Sequence, residues 1–573
     1  MSKRLTLLSL ALTALLTIAT ACSDKAGSGN DAAATKTGGA SPSSSPSQSA
    51  SASEDTVALA IQQGTYKFDP PVTITTVKAT DSTMKYKNGE TAENNVHTKW
   101  AHDKLGIDLK YLWQVPGDQF ATKMRLMLTS NEKLPDVLMT EDLTLLNELI
   151  ESGRYKDITA DYEKYASATI KQIYSSNPIM WSQVTFDGKK MALPNFAFAG
   201  NDNGVMWVRQ DWLDKLGMKA PTTFEELEAL MQAMLDKKPG GAGNIIPLGV
   251  SLGSGGSSPS IFNGWLGEST WVFGPSGTIP NQWLEKDGAV VHGSTLPEMK
   301  EGLSRLRDWY DKGYISKEAG LHDENKLAEL IGQGRVGIVV APYWLPNWPI
   351  PDLEKNVPGA TMNPYPLPTL NGKAAARDTT FLRGGLIVRE GFEHTDALFL
   401  YLNRIFEKGK QGSEFENGWY ENYDYTVKAD GTVSVDEADI PGGKVGPAKY
   451  VLMEPKDPFT NLKLLAKMSR GAEPSTAEEE RVLRNNPKTL KAAEYVDDGW
   501  SAGTYMANAF TGSPTKAMQT KGGILAKLEG ETFLGIIYGQ KPLDAFDTFV
   551  KEWNKIGGEQ ETKEANEWYQ KSK

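Results

Sequence analysis

Two strand-like runs decide the fold class of this chain: residues 72–79 read VTITTVKA and residues 107–113 read IDLKYLW. A helical segment at residues 93–105 lies between them. β-Branched and aromatic residues are frequent in both runs, which is typical of strands. Strands that alternate with helices are characteristic of parallel sheets. The sequence therefore predicts an α/β fold.

The same alternation continues along the chain and ends in a polar segment. Residues 120–130 (FATKMRLMLTS) predict an amphipathic helix, and residues 134–139 (LPDVLM) predict a third, short strand. Thr140, Glu141 and Asp142 follow this strand directly. Ligands of parallel α/β sheets gather at the carboxyl ends of the strands. Glu141 and Asp142 are therefore candidate ligand-binding residues.

The N-terminal segment predicts export and a lipid anchor. Residues 1–21 combine a short basic start, an apolar run and small residues, which is the pattern of a signal peptide. The stretch ATAC that ends at Cys22, the single cysteine, resembles a bacterial lipobox, whose thiol carries a fatty acyl group such as palmitate. Residues 22–64 begin with a tract rich in Ser, Ala, Gly and Pro and are predicted to form a flexible linker. The prediction is a lipoprotein on the outer, extracytoplasmic face of the cell membrane.

Length and charge limit the classes of function. The chain has 573 residues, which is enough for two or more domains. Its formal net charge of -11 argues against a nucleic-acid partner and against direct adhesion to an anionic membrane. We therefore expect membrane contact through the lipid anchor only. The chain also has 15 Trp and 20 Tyr, several of them in loops rich in Gly and Pro, where aromatic rings commonly form flat ligand surfaces.

The central and C-terminal segments carry a family resemblance. Residues 188–194 (GKKMALP), which follow a predicted Asp187-Gly188 hairpin turn, and residues 206–227 (MWVRQDWLDKLGMKAPTTFEEL) resemble the extracellular solute-binding proteins of oligosaccharide ABC importers. Residues 329–339 (ELIGQGRVGIV) and residues 533–543 (FLGIIYGQKPL) match later segments of that family in the same order. The last of these is similar to the tail of its large lipoprotein branch. The resemblance covers most of the chain after the linker.

The resemblance implies a two-lobed, class II periplasmic-binding-protein-like fold with a central cleft and hinge crossovers. The chain would cross between the lobes near residues 193–208, near residues 363–383, and again before the C-terminal helices. The expected division is residues 65–195 and 369–500 for lobe 1, residues 196–368 for lobe 2, and residues 501–573 for C-terminal helices that pack across the lobes.

The function implied by the resemblance is capture of an oligosaccharide in the cleft, followed by delivery to an ABC transporter permease. Such a protein is a monomer, is not an enzyme and needs no cofactor. A binding protein of the same fold for a peptide or a signal molecule is an open alternative, because Trp also lines peptide clefts.

Aromatic and polar residues near the expected cleft are the candidate ligand contacts. Tyr343 and Trp344 follow a predicted strand at residues 336–340 and resemble the aromatic loop of the family's second lobe. An indole can stack on the C–H face of a sugar ring while Asp, Glu, Asn and Arg bond to its hydroxyls. Trp348 and Arg209 are further possibilities, although Arg209 could instead pair with an acid in its own lobe. The remaining candidates are Asn195, Trp265, Trp271, Arg383, Trp419 and Trp500.

Three patterns leave an enzymatic or metal-binding alternative to be examined. Residues 249–253 (GVSLG) fit a nucleophile elbow, with Ser251 as the nucleophile of an esterase. Paired acids such as Glu141 and Asp142 could act on a glycoside. His97 and His102 are five positions apart, whereas two imidazoles on one helix face need a spacing of four. Residues 237–244 lack the carboxylates of a calcium loop. We predict a surface-anchored hydrolase as the alternative function, and no metal.

Overall fold

The computed structural model describes residues 53–81, 84–130, 132–241, 243–253 and 260–573. The predicted signal peptide, Cys22 and most of the predicted linker lie outside these residues. None of the helices in the described ranges is both long enough and apolar enough to cross a membrane.

Strands and helices alternate along the described part of the chain, as an α/β fold requires. The described strands are β1 (Val72–Thr80), β2 (Ile107–Pro116), β3 (Val137–Thr140), β4 (Thr185–Phe186), β5 (Lys189–Lys190), β6 (Leu193–Phe196), β7 (Val205–Arg209), β8 (Ile246–Gly249), β9 (Trp283–Lys286), β10 (Ala289–His292), β11 (Val336–Ala341), β12 (Met362–Tyr365), β13 (Ala376–Arg377), β14 (Leu382–Val388), β15 (Thr426–Val427), β16 (Val433–Ser434) and β17 (Tyr505–Met506). The described α-helices are α1 (Glu54–Gln62), α2 (Val96–Trp100), α3 (Gly117–Ser130), α4 (Leu143–Glu151), α5 (Thr159–Tyr165), α6 (Ala168–Ser175), α7 (Gln210–Leu216), α8 (Phe224–Lys237), α9 (Met299–Lys312), α10 (Glu324–Gly332), α11 (Ile350–Asn356), α12 (Thr395–Ile405), α13 (Thr460–Ser469), α14 (Ala477–Leu483), α15 (Pro487–Ser501), α16 (Lys516–Ile537), α17 (Ala545–Trp553) and α18 (Glu559–Ser572).

The structure differs from the predicted linker at its C-terminal end. Residues 54–62 form α1, whose first turn is capped by the Ser53 hydroxyl. Ala58 and Ile61 are buried, and the Asn403 side chain donates a hydrogen bond to the Ile61 carbonyl at 2.8 Å. The helix is only nine residues long, so packing against α12 stabilises it more than its own propensity does.

The first lobe contains the predicted β-α-β unit. β1 and β2 pair in parallel, with Val72 opposite Ile107, and α2 with a following π-helical turn (Ala101–Leu105) connects them. This confirms the predicted opening of the fold. A neighbouring three-stranded sheet has the order β3-β14-β6, in which β14 is antiparallel to both neighbours. Strand β14 comes from a distant part of the chain and is the central strand of this sheet.

The second lobe is built on a four-stranded sheet with the order β12-β7-β11-β8. β11 runs parallel to β8 and antiparallel to β7. All residues of β7, β8 and β11 are buried, which explains why these strands read as continuous apolar runs in the sequence. Helix α8 follows a cap in which the Thr223 hydroxyl accepts from the Glu226 backbone N–H, as its Thr-Phe-Glu-Glu sequence suggests.

The chain passes between the two sheets at two places, which lie near two of the three predicted crossovers. Residues 197–204 join β6 in the first lobe to β7 in the second. Residues 366–381 lead back from β12 in the second lobe to β14 in the first. Both connections are short compared with the lobes that they join, so they can act as hinges. The third crossover, before the C-terminal helices, stays a prediction.

The two largest hydrophobic clusters belong to different lobes. Ile74 and Leu386 lie in one, and Trp207 and Ile338 lie in the other. The second cluster also includes C-terminal residues Leu462, Val496 and Phe533, from α13, α15 and α16. The predicted lobe boundaries remain a prediction. Because of this packing, we propose that residues 460–500 belong to the second lobe rather than to the first.

Candidate functional site

A cavity of about 660 Å³ lies in the first lobe, where β1 and β3 end. Glu141, Asp142 and Asn195 line it together with Lys78 from β1 and a loop of the chain at residues 448–456. The position agrees with the rule that ligands bind beyond the carboxyl ends of strands in α/β sheets. The cavity combines apolar walls with several charged and amide groups, so it can hold a polar organic molecule.

Asn195 connects two other predicted site residues at the edge of this cavity. Its side chain is 3% exposed, and its Nδ2 donates to Glu141 Oε1 and to the Arg383 carbonyl, both at 3.2 Å. Arg383 lies at a register shift in the pairing of β14 with β6, and Gly384 beside it has φ of 67°. A Cβ at Gly384 would lie 2.1 Å from the Thr140 carbonyl oxygen. Glycine is therefore required for β14 to approach the end of β3.

Asp142 has a structural task in addition to lining the cavity. Its Oδ1 accepts hydrogen bonds from the backbone N–H groups of Thr144 and Leu145 at 2.9 and 3.0 Å, which caps α4. Its other carboxylate oxygen lies 3.8 Å from the Arg125 guanidinium. Glu141, by contrast, has the Asn195 amide as its hydrogen-bond partner and is exposed, so it is the freer acceptor of the two.

Polar contacts continue from Arg383 across the first crossover. The Arg383 guanidinium lies 3.7 Å from the carboxylate of Asp202, which belongs to residues 197–204. The neighbouring Asn201 accepts a hydrogen bond from Trp344 Nε1 at its carbonyl oxygen, at 2.9 Å. The Tyr343 hydroxyl donates to Asn201 Oδ1 at 3.3 Å. Burial raises the pKa of Tyr343, so its hydroxyl stays neutral. The crossover thus links polar groups of both lobes.

Three tryptophans form a cluster in the second lobe beside this crossover. The rings of Trp265 and Trp344 have their centroids 5.0 Å apart, and those of Trp265 and Trp348 are 5.6 Å apart. Trp348 is 40% exposed, although large apolar side chains are usually covered. We call Trp265, Trp344 and Trp348 the tryptophan cluster. Its exposed faces offer a flat apolar surface to a ligand.

The other three predicted tryptophans have different surroundings. Trp271 is 2% exposed and packs against Phe224 and Trp309 in the core of the second lobe. Trp419 is 4% exposed and packs against Phe415 in the core of the first lobe. Trp500 is partly buried on α15 and contacts both clusters. These positions favour a structural role for Trp271 and Trp419.

The residues behind the alternative functions also have identifiable partners. The buried Ser251 hydroxyl donates to the Leu266 carbonyl at 2.8 Å, while residues 254–259, where an elbow would begin its helix, lie outside the described part. Arg209 is 2% exposed and forms a two-pronged pair with Asp211, so the alternative of a partner in its own lobe is correct. No group of three or more His, Cys, Asp and Glu side chains among the described residues is arranged to hold a metal ion.

The two histidines have unlike environments. The ring nitrogens of His97 lie 2.8 and 2.7 Å from the hydroxyls of Tyr420 and Tyr401, and burial lowers its pKa to about 3. His102 is exposed and lies 2.7 Å from Asp108. His97 is therefore a hydrogen-bonded core residue.

Sequence reasoning missed Asn201, Asp202 and Lys78. A signal was present for the first two, because three polar residues between Gly200 and Gly204 separate two buried strands. Lys78 gave no such signal, since its position in a strand is compatible with any solvated face. The loop at residues 448–456, which lines the cavity, falls in the expected range of lobe 1, but no motif in its sequence marks it as part of a site.

Comparison with known proteins agrees with this architecture. Residues 85–390, more than half of the chain, match the family described as bacterial extracellular solute-binding protein. Lipoprotein LipO of Bacillus subtilis is 22% identical over 41% of this chain and 44% of its own length. The fructooligosaccharide ABC transporter substrate-binding protein FusA of Streptococcus pneumoniae is 25% identical over 48% of this chain and 49% of its own length. The chain therefore spans less than half the length of each of these relatives.

A solved structure agrees over a longer part of the chain. The crystal structure of an extracellular solute-binding protein from Bifidobacterium longum subsp. infantis superposes with a TM-score of 0.65 at 17% identity. The superposition covers 88% of this chain and 99% of the other. At this identity the agreement concerns the fold, which is the two-lobed class II periplasmic-binding type. The chain belongs to the family of bacterial extracellular solute-binding proteins.

Proposed function

We propose that this protein captures an oligosaccharide between its lobes and delivers it to an ABC transporter permease. The observation that carries the proposal is the continuous row of contacts from the first-lobe cavity to the tryptophan cluster. The row runs through Glu141, Asn195, Arg383, Asp202, Asn201 and Trp344. It places hydrogen-bonding groups and exposed indole faces along one path across the hinge.

An oligosaccharide matches this arrangement chemically. Each sugar ring has an apolar C–H face that can stack on an indole and a rim of hydroxyls that need acceptors and donors. Glu141 can accept from sugar hydroxyls, the Arg383 guanidinium can donate to them, and Trp348 offers an exposed ring, while Asn195 holds Glu141 in place. Several rings in a row would engage several of these groups at once. The relative FusA, whose name assigns it fructooligosaccharides, supports a sugar ligand for this chain as well.

Binding would be coupled to movement of the lobes. A ligand that contacts both lobes binds the closed arrangement more tightly than the open one, so it shifts the hinge equilibrium toward closure. The contacts that would change lie at residues 197–204 and 366–381. In this proposal the chain performs no chemical step, and the permease with its ATPases does the transport.

The proposal includes a place for the protein at the cell surface. Export through the signal peptide and acylation of Cys22 would hold the folded lobes outside the membrane, and a linker up to residue 53 would let them reach the permease. The protein would act there as a monomer, since the cleft is completed by its own two lobes.

Thermal unfolding of the purified protein with a panel of oligosaccharides, oligopeptides and simple esters tests the proposal. A ligand present at a hundred times its Kd stabilises a protein by ~2.7 kcal/mol, which raises Tm measurably. Each mixture is then analysed for cleavage products. Stabilisation by an oligosaccharide that is recovered intact is the expected result. Stabilisation by peptides alone, or cleavage of any compound, refutes the proposal.

A pair of variants locates the binding surface. Trp348→Ala removes the most exposed ring of the tryptophan cluster and should weaken oligosaccharide binding by about tenfold, the equivalent of ~1.4 kcal/mol. Leu321→Ala is the control, because Leu321 is 81% exposed and lies outside the row of contacts. Equal affinity of wild type and Trp348→Ala would remove the tryptophan cluster from the proposed site.

A further inference from the structure

Lys78 is a charged group of the first-lobe cavity that the fold itself does not use. It lines the cavity from the end of β1 and is mostly buried. Its Nζ lies 5.7 Å from the centre of the Tyr111 ring, and it makes no ion pair or hydrogen bond with a residue in the described ranges. The nearby Asp81 carboxylate attracts it and the Lys449 ammonium repels it. Burial lowers the pKa of Lys78 to about 8, so the side chain remains mostly protonated at pH 7.

The other charged groups of the cavity have partners. Lys449 pairs with Asp81 at 2.7 Å, and Lys456 pairs with Glu454 at 3.0 Å. Asp142 caps α4, and Glu141 accepts from Asn195. A buried charge is costly unless an opposite charge or hydrogen bonds compensate it. Among the cations of this cavity, Lys78 is the one that has no hydrogen bond or ion pair with a described residue. The Asp81 carboxylate and the Tyr111 ring offset its burial only in part, since burial still lowers its pKa.

From this arrangement we propose that the bound oligosaccharide carries one negatively charged group, a carboxylate or a sulfate ester, which pairs with Lys78. The inference rests on the proposed function, because it concerns the ligand of the same site. It also limits the charge of the ligand. Asp81, Glu141, Asp142 and Glu454 line the cavity as well, so they would repel a sugar chain with an acid on every ring.

The proposal predicts an order of affinities. A singly anionic oligosaccharide should have an affinity at least about tenfold higher than its neutral counterpart, because hydrogen bonds between charged groups are stronger than those between neutral groups. A chain with an acid on every ring should bind more weakly than the singly anionic one. Added salt should reduce the preference, since it screens charge pairs that remain partly accessible to water.

Matched sugars test this order. The probes are neutral lactose and xylotriose, singly acidic sialyllactose and glucuronosyl-xylotriose, lactose monosulfate, and trigalacturonate as the multiply charged case. Calorimetric titration measures the Kd of each with wild type and with Lys78→Met. Lys110→Met is the control, because Lys110 lies exposed on the adjacent strand β2. The carboxylate and sulfate probes distinguish the two possible charged groups.

Wild type and Lys110→Met should both bind a singly anionic sugar more tightly than its neutral counterpart. Lys78→Met should lose this preference. Neutral sugars that bind as tightly as their acidic counterparts, or an unchanged preference in Lys78→Met, overturn the inference while the proposed function stands. A higher affinity for trigalacturonate than for the singly charged sugars also overturns the inference. Failure of every oligosaccharide in this set and in the wider panel refutes the proposed function itself.

The unliganded protein gives an independent readout. Lys78→Met replaces a cation whose burial is only partly compensated with an apolar side chain of similar length, so its Tm should equal or exceed that of wild type. A Tm several degrees below that of wild type would mean that the fold depends on the Lys78 charge, and this would contradict the inference.

Discussion

Glu529 should make the stability of this protein fall as the pH rises toward neutrality. It lies on α16, is 3% exposed, and accepts hydrogen bonds from Asn281 and Ser294. Burial raises the pKa of Glu529 from its ordinary value of 4.5 to about 7. The folded protein therefore holds the proton more tightly than the unfolded chain does. The protonated Glu529 carboxyl therefore contributes fully to the free energy of unfolding below pH 4.5, and this contribution is lost as the pH rises through about 7.

The size of the effect follows from the same two pKa values. Each pKa unit between the folded and unfolded states corresponds to ~1.4 kcal/mol, so the wild type should lose about 3 kcal/mol across this range through Glu529. Glu529→Gln removes the titration and keeps a side chain of the same shape. The variant should match the wild type near pH 4.5 and exceed its stability at pH 8 by about 3 kcal/mol.

Urea unfolding of both proteins at intervals from pH 4.5 to pH 8 measures this difference. Glu531→Gln on the same helix is the control, because Glu531 is 64% exposed and its substitution should leave the pH dependence unchanged. Burial also raises the pKa of Glu561 to about 7, so Glu561→Gln should remove a second part of the slope. A difference between wild type and Glu529→Gln that stays constant with pH would refute the reasoning.

Two further substitutions test the structure near the site. Gly384→Ala should lower the free energy of unfolding by more than ~2 kcal/mol, because the new Cβ contacts the Thr140 carbonyl and the backbone has a positive φ. Gly431 also has a positive φ but lies in open space, so Gly431→Ala measures the backbone strain alone and should lower the free energy of unfolding less. An equal cost for the two would show that the contact is unimportant. Ser251→Ala removes one hydrogen bond to the Leu266 carbonyl and should cost ~1 kcal/mol, with oligosaccharide affinity unchanged, whereas loss of an ester-cleaving activity would reveal a nucleophile.

Local sequence patterns predicted the elements of the fold well. The strands at residues 72–79 and 107–113 were found with the expected parallel pairing, and β3 begins at Val137 within the predicted segment. These predictions succeeded because hydrophobic spacing within a strand or helix reflects which side of that element is covered. The helix α1 was missed because its burial depends on α12, more than 300 residues away.

The surroundings of the candidate site residues were predictable only in part. Trp344 became a candidate because it lies three residues after β11, and Asn195 and Arg383 because they lie near the predicted crossovers. Trp271 and Trp348 look alike in the sequence, since both lie in irregular segments rich in Gly or Pro. Phe224 and Trp309 cover the first, whereas the second keeps 40% of its surface exposed.

The sequence by itself therefore determined the α/β class of the fold and its opening β-α-β unit, and the family resemblance implied the two lobes and the crossovers between them. The class of fold and the opening unit depend on neighbouring residues, whose periodicity is visible along the chain. Only the tertiary structure decided which aromatic rings stay exposed and which charges in the first-lobe cavity find partners. Lys78 illustrates the reason: the ion pairs around it use residues such as Lys449 and Glu454, which lie more than 350 positions away, and local pattern carries no information about contacts at that distance.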